Sequence, residues 1–125
     1  MIHVYYNKET DILETQFEGK IGIGEMFDYI VSVRENESLP QKLKIYSNAS
    51  NAKFEGKVNR KDLVRFLAEN KTTLSQKEFI YDAFVVSSAF EMALGMLYRE
   101  LNKIKNYKFE VFSTKEAAIN WLKRF

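Results

Sequence analysis

The 125-residue chain has no cysteine, one histidine, one tryptophan and one proline. Without cysteine there is no disulfide, no cysteine–zinc site, no iron–sulfur ligation and no thiol nucleophile. The same absence fits a reducing compartment, and the sequence reads as cytoplasmic. His3 is the only imidazole, so a Ser-His-Asp triad or a histidine metal site would have to be built on it. There is no Gly-x-Ser-x-Gly elbow, no EF-hand loop and no pair of histidines for zinc. The sequence therefore predicts no catalytic residue, no metal and no cofactor. Long apolar runs are missing as well: nothing approaches the roughly 20 residues of a membrane span. The beginning, MIHVYYNKET, lacks the basic start and apolar run of a secretory signal. Glycine is sparse, and its one cluster, Gly19-x-x-Gly22-x-Gly24, matches neither a dinucleotide fingerprint nor a P-loop. A glycine that eases the start of a helix is the simpler reading.

Net charge is only +2, too little to announce a nucleic-acid partner. Lys53, Lys57, Arg60, Lys61 and Arg65 cluster with Phe54 and Phe66, but Glu55 and Asp62 interrupt them, and no nucleic acid is expected. The charge is unevenly divided. Residues 1–37 hold three basic and eight acidic residues; residues 38–125 hold sixteen and nine. Such a split is compatible with two solvated faces, or with contacts between copies in a homodimer.

What is present is a well-punctuated α/β pattern organised around Asp82 to Ile104. Ala83 to Val86 is an apolar run of strand formers, as in a strand covered on both faces. Ser88 is placed to cap a helix, with Glu91 three residues on. Phe90, Ala93, Leu94, Leu97, Leu101 and Ile104 then share one helical face. Before this, Ile2 to Tyr6 and Asp11 to Glu18 alternate as a hairpin around Asn7-Lys8-Glu9-Thr10. A helix is predicted over Ile23 to Asn36, and a short strand over Leu43 to Ser47. Ser47-Asn48-Ala49-Ser50-Asn51-Ala52 reads as a polar loop. A second helix is predicted from an Asn59 cap, with Asp62 in its first turn and Val58 stapled to Leu63. Phe109 to Phe112 is a last strand. Ser113 and Glu116 are predicted to box the start of a final helix with Ala117, Ala118, Trp121, Leu122 and Phe125 on its apolar side. The order β-β-α-β-α-β-α-β-α, in one domain spanning residues 1–125, predicts an α/β fold. Its four- or five-stranded mixed sheet should be largely parallel after the opening hairpin.

That order, together with the ending Val111-Phe112-Ser113-Thr114-Lys115-Glu116-Ala117-Ala118-Ile119-Asn120-Trp121-Leu122, resembles the STAS-like family. These are small domains similar to anti-sigma-factor antagonists, with a fold related to Sec14-type lipid-binding domains. Leu43 to Ala49 looks like the family's central strand, with Ser47 and Asn48 where relatives often carry an aspartate. The resemblance implies a non-catalytic regulatory module with a protein partner. Its regulatory members are phosphorylated on a serine or threonine near the start of the following helix. By position the nearest residues are Ser47 and Ser50, although the Asp-Ser-Ser-Gly signature is absent and Asn51 to Lys57 intervene before the cap.

Two candidate surfaces follow. The first is the loop of Ser47, Asn48, Ser50, Asn51 and Lys53, because loops at strand carboxyl ends gather function in open α/β sheets. The second is a groove along the long helix bordered by Met92, Met96 and Tyr98, fit for a small apolar or lipid-like ligand or a partner helix.

Overall fold

The computed structural model describes residues 1–125. In chain order the elements are β1 (Ile2–Asn7), β2 (Ile12–Ile21), α1 (Ile23–Glu35), β3 (Lys42–Phe54), α2 (Arg60–Leu74), β4 (Phe79–Val85), α3 (Ala89–Leu101), β5 (Tyr107–Phe112) and α4 (Lys115–Leu122). They form a five-stranded sheet in the order β1-β2-β3-β4-β5. β1 runs antiparallel to β2, and every later neighbour is parallel.

Each parallel step moves the same way along the sheet and passes through a helix. Crossovers of this kind are right-handed, so three in succession place their helices on one face. Accordingly α1, α2 and α3 pack on one side, around Leu13, Phe17, Ile45, Phe66, Ile80 and Phe109. The last helix is not a crossover and is free to take the other side. There Trp121, Ala118 and Leu122 of α4 meet Tyr46, Ala83 and Val85.

Alternation along the strands serves both layers. In β4, Ile80 and Phe84 face the three-helix side, and Tyr81, Ala83 and Val85 face α4. The helices dock mainly through apolar contact. Phe27 of α1 and Phe66 of α2 have ring centroids 5.0 Å apart. The nearby Arg34–Glu69 pair, at 3.3 Å, is partly solvated and so is worth at most about 1 kcal/mol.

Several local expectations need correction. The predicted loop from Ser47 to Ala52 lies inside β3, which runs on to Phe54. Its polar character belongs to a bulge: pairing with β2 skips from Gln16↔Asn48 to Glu18↔Asn51. The Asn48 side-chain oxygen accepts hydrogen bonds from the Ser50 amide (3.1 Å) and hydroxyl (2.6 Å). This is loop chemistry used to insert one residue into a strand. The bulge inverts the alternation, so Ser47 and Ala49 face the helices before it, and Ala52 and Phe54 do so after it.

β4 begins at Phe79, four residues before the predicted start. The cap of α4 is Thr114, not Ser113: its side chain accepts from the Ala117 amide at 3.2 Å. On α3 the buried stripe differs from the one expected at its amino-terminal end and along one edge. Leu94, Leu97, Leu101 and Ile104 pack on the core as expected, but Phe90 is 66% exposed, Ala93 is also exposed, and Gly95 and Tyr98 turn inward instead. The Asn59 cap stands as read, with Asn59 and Asp62 exchanging hydrogen bonds of 3.1 and 3.0 Å.

The roll of α3 rests on Gly95. A Cβ there would lie 2.7 Å from Val111 Cγ2 and 2.9 Å from Val111 Cβ, so the helix sits directly on β5. A methyl group would gain helix propensity of about 1 kcal/mol but overpack a stiff β-branched neighbour at about 1–3 kcal/mol. Gly95→Ala is therefore expected to lower the urea unfolding midpoint. Adding Val111→Ala should recover part of that loss, a non-additivity read from the double-mutant cycle.

Candidate functional site

The three-helix face is not filled solid. Between the sheet and α1–α3 lie two adjoining cavities, and a wider vestibule opens at the carboxyl ends of β3 and β4. The outer cavity, about 80 Å³, is walled by Phe54, Val58, Leu63, Phe84, Leu94 and Gly95. The inner one, about 70 Å³, lies against Tyr29, Asn70, Asp82, Tyr98 and Tyr107. Met26, Phe66, Tyr98 and Phe109 belong to both walls, so the two are neighbouring lobes of one space. The vestibule, about 410 Å³, is bordered by Ser50, Asn51, Lys53, Ser88 and Phe90. It shares Phe54, Val58 and Glu91 with the outer lobe.

Helical spacing brings these side chains together. Met26, Tyr29, Ile30 and Val33 fall on one face of α1, Phe66, Asn70 and Thr73 on one face of α2, and Glu91, Leu94, Gly95 and Tyr98 on one face of α3. Leu63 and Val58, the staple at the start of α2, close the outer lobe.

The inner lobe ends on a polar chain. Asp82 shares the parity of Ile80 and Phe84, which aims its carboxylate at the helices. The Tyr107 hydroxyl donates to its Oδ2 at 2.9 Å, and Ser47 donates to its Oδ1 at 3.4 Å. The Tyr98 and Tyr107 hydroxyls lie 3.3 Å apart, and Asn70 Nδ2 donates to the Tyr98 oxygen at 2.7 Å. With the Tyr107 proton given to Asp82, the Tyr98 proton points to Tyr107, and the chain runs in one direction from α2 through α3 and β5 to β4. Beside it, the Tyr29 and Thr15 hydroxyls are 3.1 Å apart.

Burial raises the Asp82 carboxyl to about 6, only partly offset by the hydrogen bonds from Tyr107 and Ser47. Burial also raises the phenols of Tyr29, Tyr98 and Tyr107, and the negative charge of Asp82 adds to it in each case. All three stay protonated near neutrality and act as neutral hydrogen-bonding groups. The site can thus hold an apolar body and offer it a directed polar end. No three His, Cys, Asp or Glu side chains converge as a metal site would require.

The candidate residues are distributed over this space in an unexpected way. Of the supposed loop, Ser50, Asn51 and Lys53 border the vestibule. Asn48 holds the bulge, and Ser47, 1% exposed, lies within the core on Asp82. Ser47 is therefore out of reach of a kinase in the folded protein. Met92, Met96 and Tyr98 do not border one groove: Met92 packs on the core, Met96 is 46% exposed, and Tyr98 alone reaches the cavities. The partners of Tyr98 were not singled out from the sequence. A signal was there, since Asp82 is the one charge in the run Phe79-Ile-Tyr-Asp-Ala-Phe-Val-Val86. His3 lies on the opposite face of the sheet from the cavities, exposed, with Nε2 3.8 Å from Glu18 Oε2. Phe54 and Phe66 of the basic segment turn into the cavity wall and offer no stacking surface to a nucleic acid.

Placed beside solved structures, the chain is similar to an uncharacterised protein of the DUF3478 family with a SpoIIAA-like fold from Shewanella loihica PV-4. The TM-score is 0.62 over 97% of this chain and 93% of the other, at 13% identity. This fold is SpoIIAA-like. It is the STAS-like architecture, with five strands in mixed pairing and four helices in the expected order. No family model matches the sequence, and no curated protein matches it. No helix is long and apolar enough to cross a membrane.

The buried carboxylate has a measurable consequence. Its pKa is raised in the fold above the 3.8 of an ordinary aspartate, so the folded state holds the proton more tightly than the unfolded chain. Stability from this group is fully present below pH ~4 and is lost as pH rises through about 6. Two units at 1.36 kcal/mol each set an upper scale of about 3 kcal/mol. Asp82→Asn is expected to raise unfolding free energy at pH 7 by roughly 1–3 kcal/mol and to flatten the profile between pH 4 and 6. Urea titrations across that range check both; a variant less stable than wild type at pH 7 would contradict the assignment.

Proposed function

We propose that this protein is a non-catalytic STAS-like binding module whose cavity between the sheet and α1–α3 takes a small, largely apolar ligand. The observation that carries the reading is the pair of adjoining lobes, apolar along their length and closed at the inner end by the hydrogen-bonded chain on Asp82. Binding sites of small molecules have this build: apolar walls for affinity and a few convergent polar groups for orientation. A non-catalytic role is supported by the state of the hydroxyls near the opening. Ser50 donates to Asn48 and Ser88 donates to Glu91 Oε1, so each serves local structure. The only imidazole lies on the far face.

The test is a titration of the protein with benzene and indole, followed by methyl and amide NMR. Saturable shifts are expected at Leu63, Leu94 and Phe109, with dissociation constants of about 1 mM or tighter, some −4 kcal/mol. Met26 lines both lobes, and Met26→Trp should fill them and abolish the shifts, whereas Met96→Trp on the exposed side should not. Shifts scattered over the surface, or unchanged by Met26→Trp, would remove this reading.

A second reading, a protein-interaction module, is favoured by Phe90, 66% exposed at the rim of the vestibule. Exposed aromatic anchors of this kind dominate many interfaces. Phe90→Ser should leave the unfolding free energy within about 0.5 kcal/mol of wild type. It should also remove any protein that co-purifies from the native host, or any dimer seen by sedimentation. A partner retained by Phe90→Ser does not dock there.

A further inference from the structure

The two ends of the cavity are marked by carboxylates, and neither has a cation. Asp82 closes the inner lobe. Glu91 stands where the outer lobe meets the vestibule; its Oε1 accepts from Ser88, but its buried Oε2 has no hydrogen-bond partner. None of the chain's ion pairs includes either residue. The ammonium buried on the same protein, Lys77, is held elsewhere, donating to the Leu39 and Pro40 carbonyls at 3.1 and 3.2 Å.

The groups that face Asp82 or join its hydrogen-bonded chain come from every element packed around it. They are Tyr29 of α1, Ser47 of β3, Asn70 of α2 through Tyr98 of α3, and Tyr107 of β5. All are neutral. Buried charges are ordinarily paired, because an unpaired one forfeits its hydration with nothing in return. Here the hydroxyls of Tyr107 and Ser47 supply only two hydrogen bonds. The walls, meanwhile, are aromatic: Tyr98 and Phe109, ring centroids 4.6 Å apart, line both lobes. A cavity walled by aromatic rings and ended by a carboxylate favours a desolvated organic cation over a neutral group of equal size.

We propose that the cavity selects an organic cation, an alkyl- or arylalkylamine whose apolar body lies in the outer lobe and whose ammonium meets Asp82 in the inner one. This rests on the ligand-binding reading above and specifies its ligand class. The unpartnered Glu91 Oε2 makes the mouth of the cavity attractive to the same charge on its way in. The amine supplies the counter-ion that the fold omits, and the ammonium adds a donor to a carboxylate that is not saturated by Tyr107 and Ser47. Near neutrality the Asp82 carboxyl, at about 6, is mostly ionised and ready to pair.

The experiment compares two probes of one shape, phenethylamine and 2-phenylethanol, titrated at pH 7.5 with benzene as the reference. The amine is expected to bind wild type at least about tenfold more tightly than the alcohol, equivalent to ~1.4 kcal/mol. Asp82→Asn, which should fold at least as stably as wild type, should bring the two probes to equal affinity. Glu91→Gln keeps the Ser88 hydrogen bond and should weaken the amine alone by a smaller factor. If amine and alcohol bind wild type equally, or if benzene binds and neither of them does, the cation class is wrong while the ligand reading stands. A preference that persists in Asp82→Asn also overturns the proposal, because the charge being read is then another. If benzene too fails to bind, both readings fall together. The wild-type comparison of two probes needs no variant, so the outcome does not hang on the folding of a mutant.

Discussion

The constraint on which this molecule depends is the direction of its crossovers. Three parallel steps follow one another the same way along the sheet, and each is made through a helix. Their common handedness leaves no choice of face, so α1, α2 and α3 crowd one side. The three helices leave a seam over the sheet. The seam is where the cavities lie, bounded by one stripe from each helix and by β3, β4 and β5 below. The opposite face receives only the short α4, which covers Ile12, Tyr46, Ala83 and Val85 and leaves His3 and Tyr5 of β1 to solvent.

Within that seam the sheet presents a carboxylate instead of another apolar side chain. Asp82 lies between Ile80 and Phe84 on the helix side of β4, a position that in most α/β sheets is hydrophobic. Its presence there is energetically adverse, and the surrounding hydroxyls only soften it. Tyr107, Tyr98 and Asn70 come from three different elements, so the hydrogen-bonded chain also fixes how α2 and α3 sit on β5. An apolar residue at 82 would let these elements pack with fewer polar conditions. That the chain keeps a buried charge where stability alone would not ask for one is the physical reason to look for a function at this end of the cavity.

The vestibule shows how one irregularity connects the surface to this interior. Without the β3 bulge, Phe54 would face the α4 side and Lys53 would face the cavity. One extra residue reverses that alternation: Phe54 enters the outer wall, and Ser50, Asn51 and Lys53 rim the opening. The polar stretch that resembles a loop is the device that shapes the mouth of the site.

Element order, the hairpin, the Asn59 cap and its staple, and the STAS-like architecture were legible in the residues. They depend on local periodicity and capping chemistry, which a linear chain displays. The ligand groove expected along α3 joined Met92, Met96 and Tyr98, but of these only Tyr98 lines the cavities. Tyr98 stands out on the helix, yet Asp82, Tyr107, Asn70 and Tyr29 stand 9 to 28 positions from their hydrogen-bond partners along the chain. On α3 the periodicity places Leu94, Leu97, Leu101 and Ile104 correctly but not Phe90 and Ala93, because Gly95, not a large apolar side chain, sets how the helix rolls onto Val111. By itself the sequence determined which segments are strands and helices and in what order they follow, since those are decided by neighbours in the chain. Tertiary structure alone decided where the cavity opens and which carboxylate closes it. Both depend on strand register, a single bulge and the roll of one helix, quantities fixed only when distant segments meet.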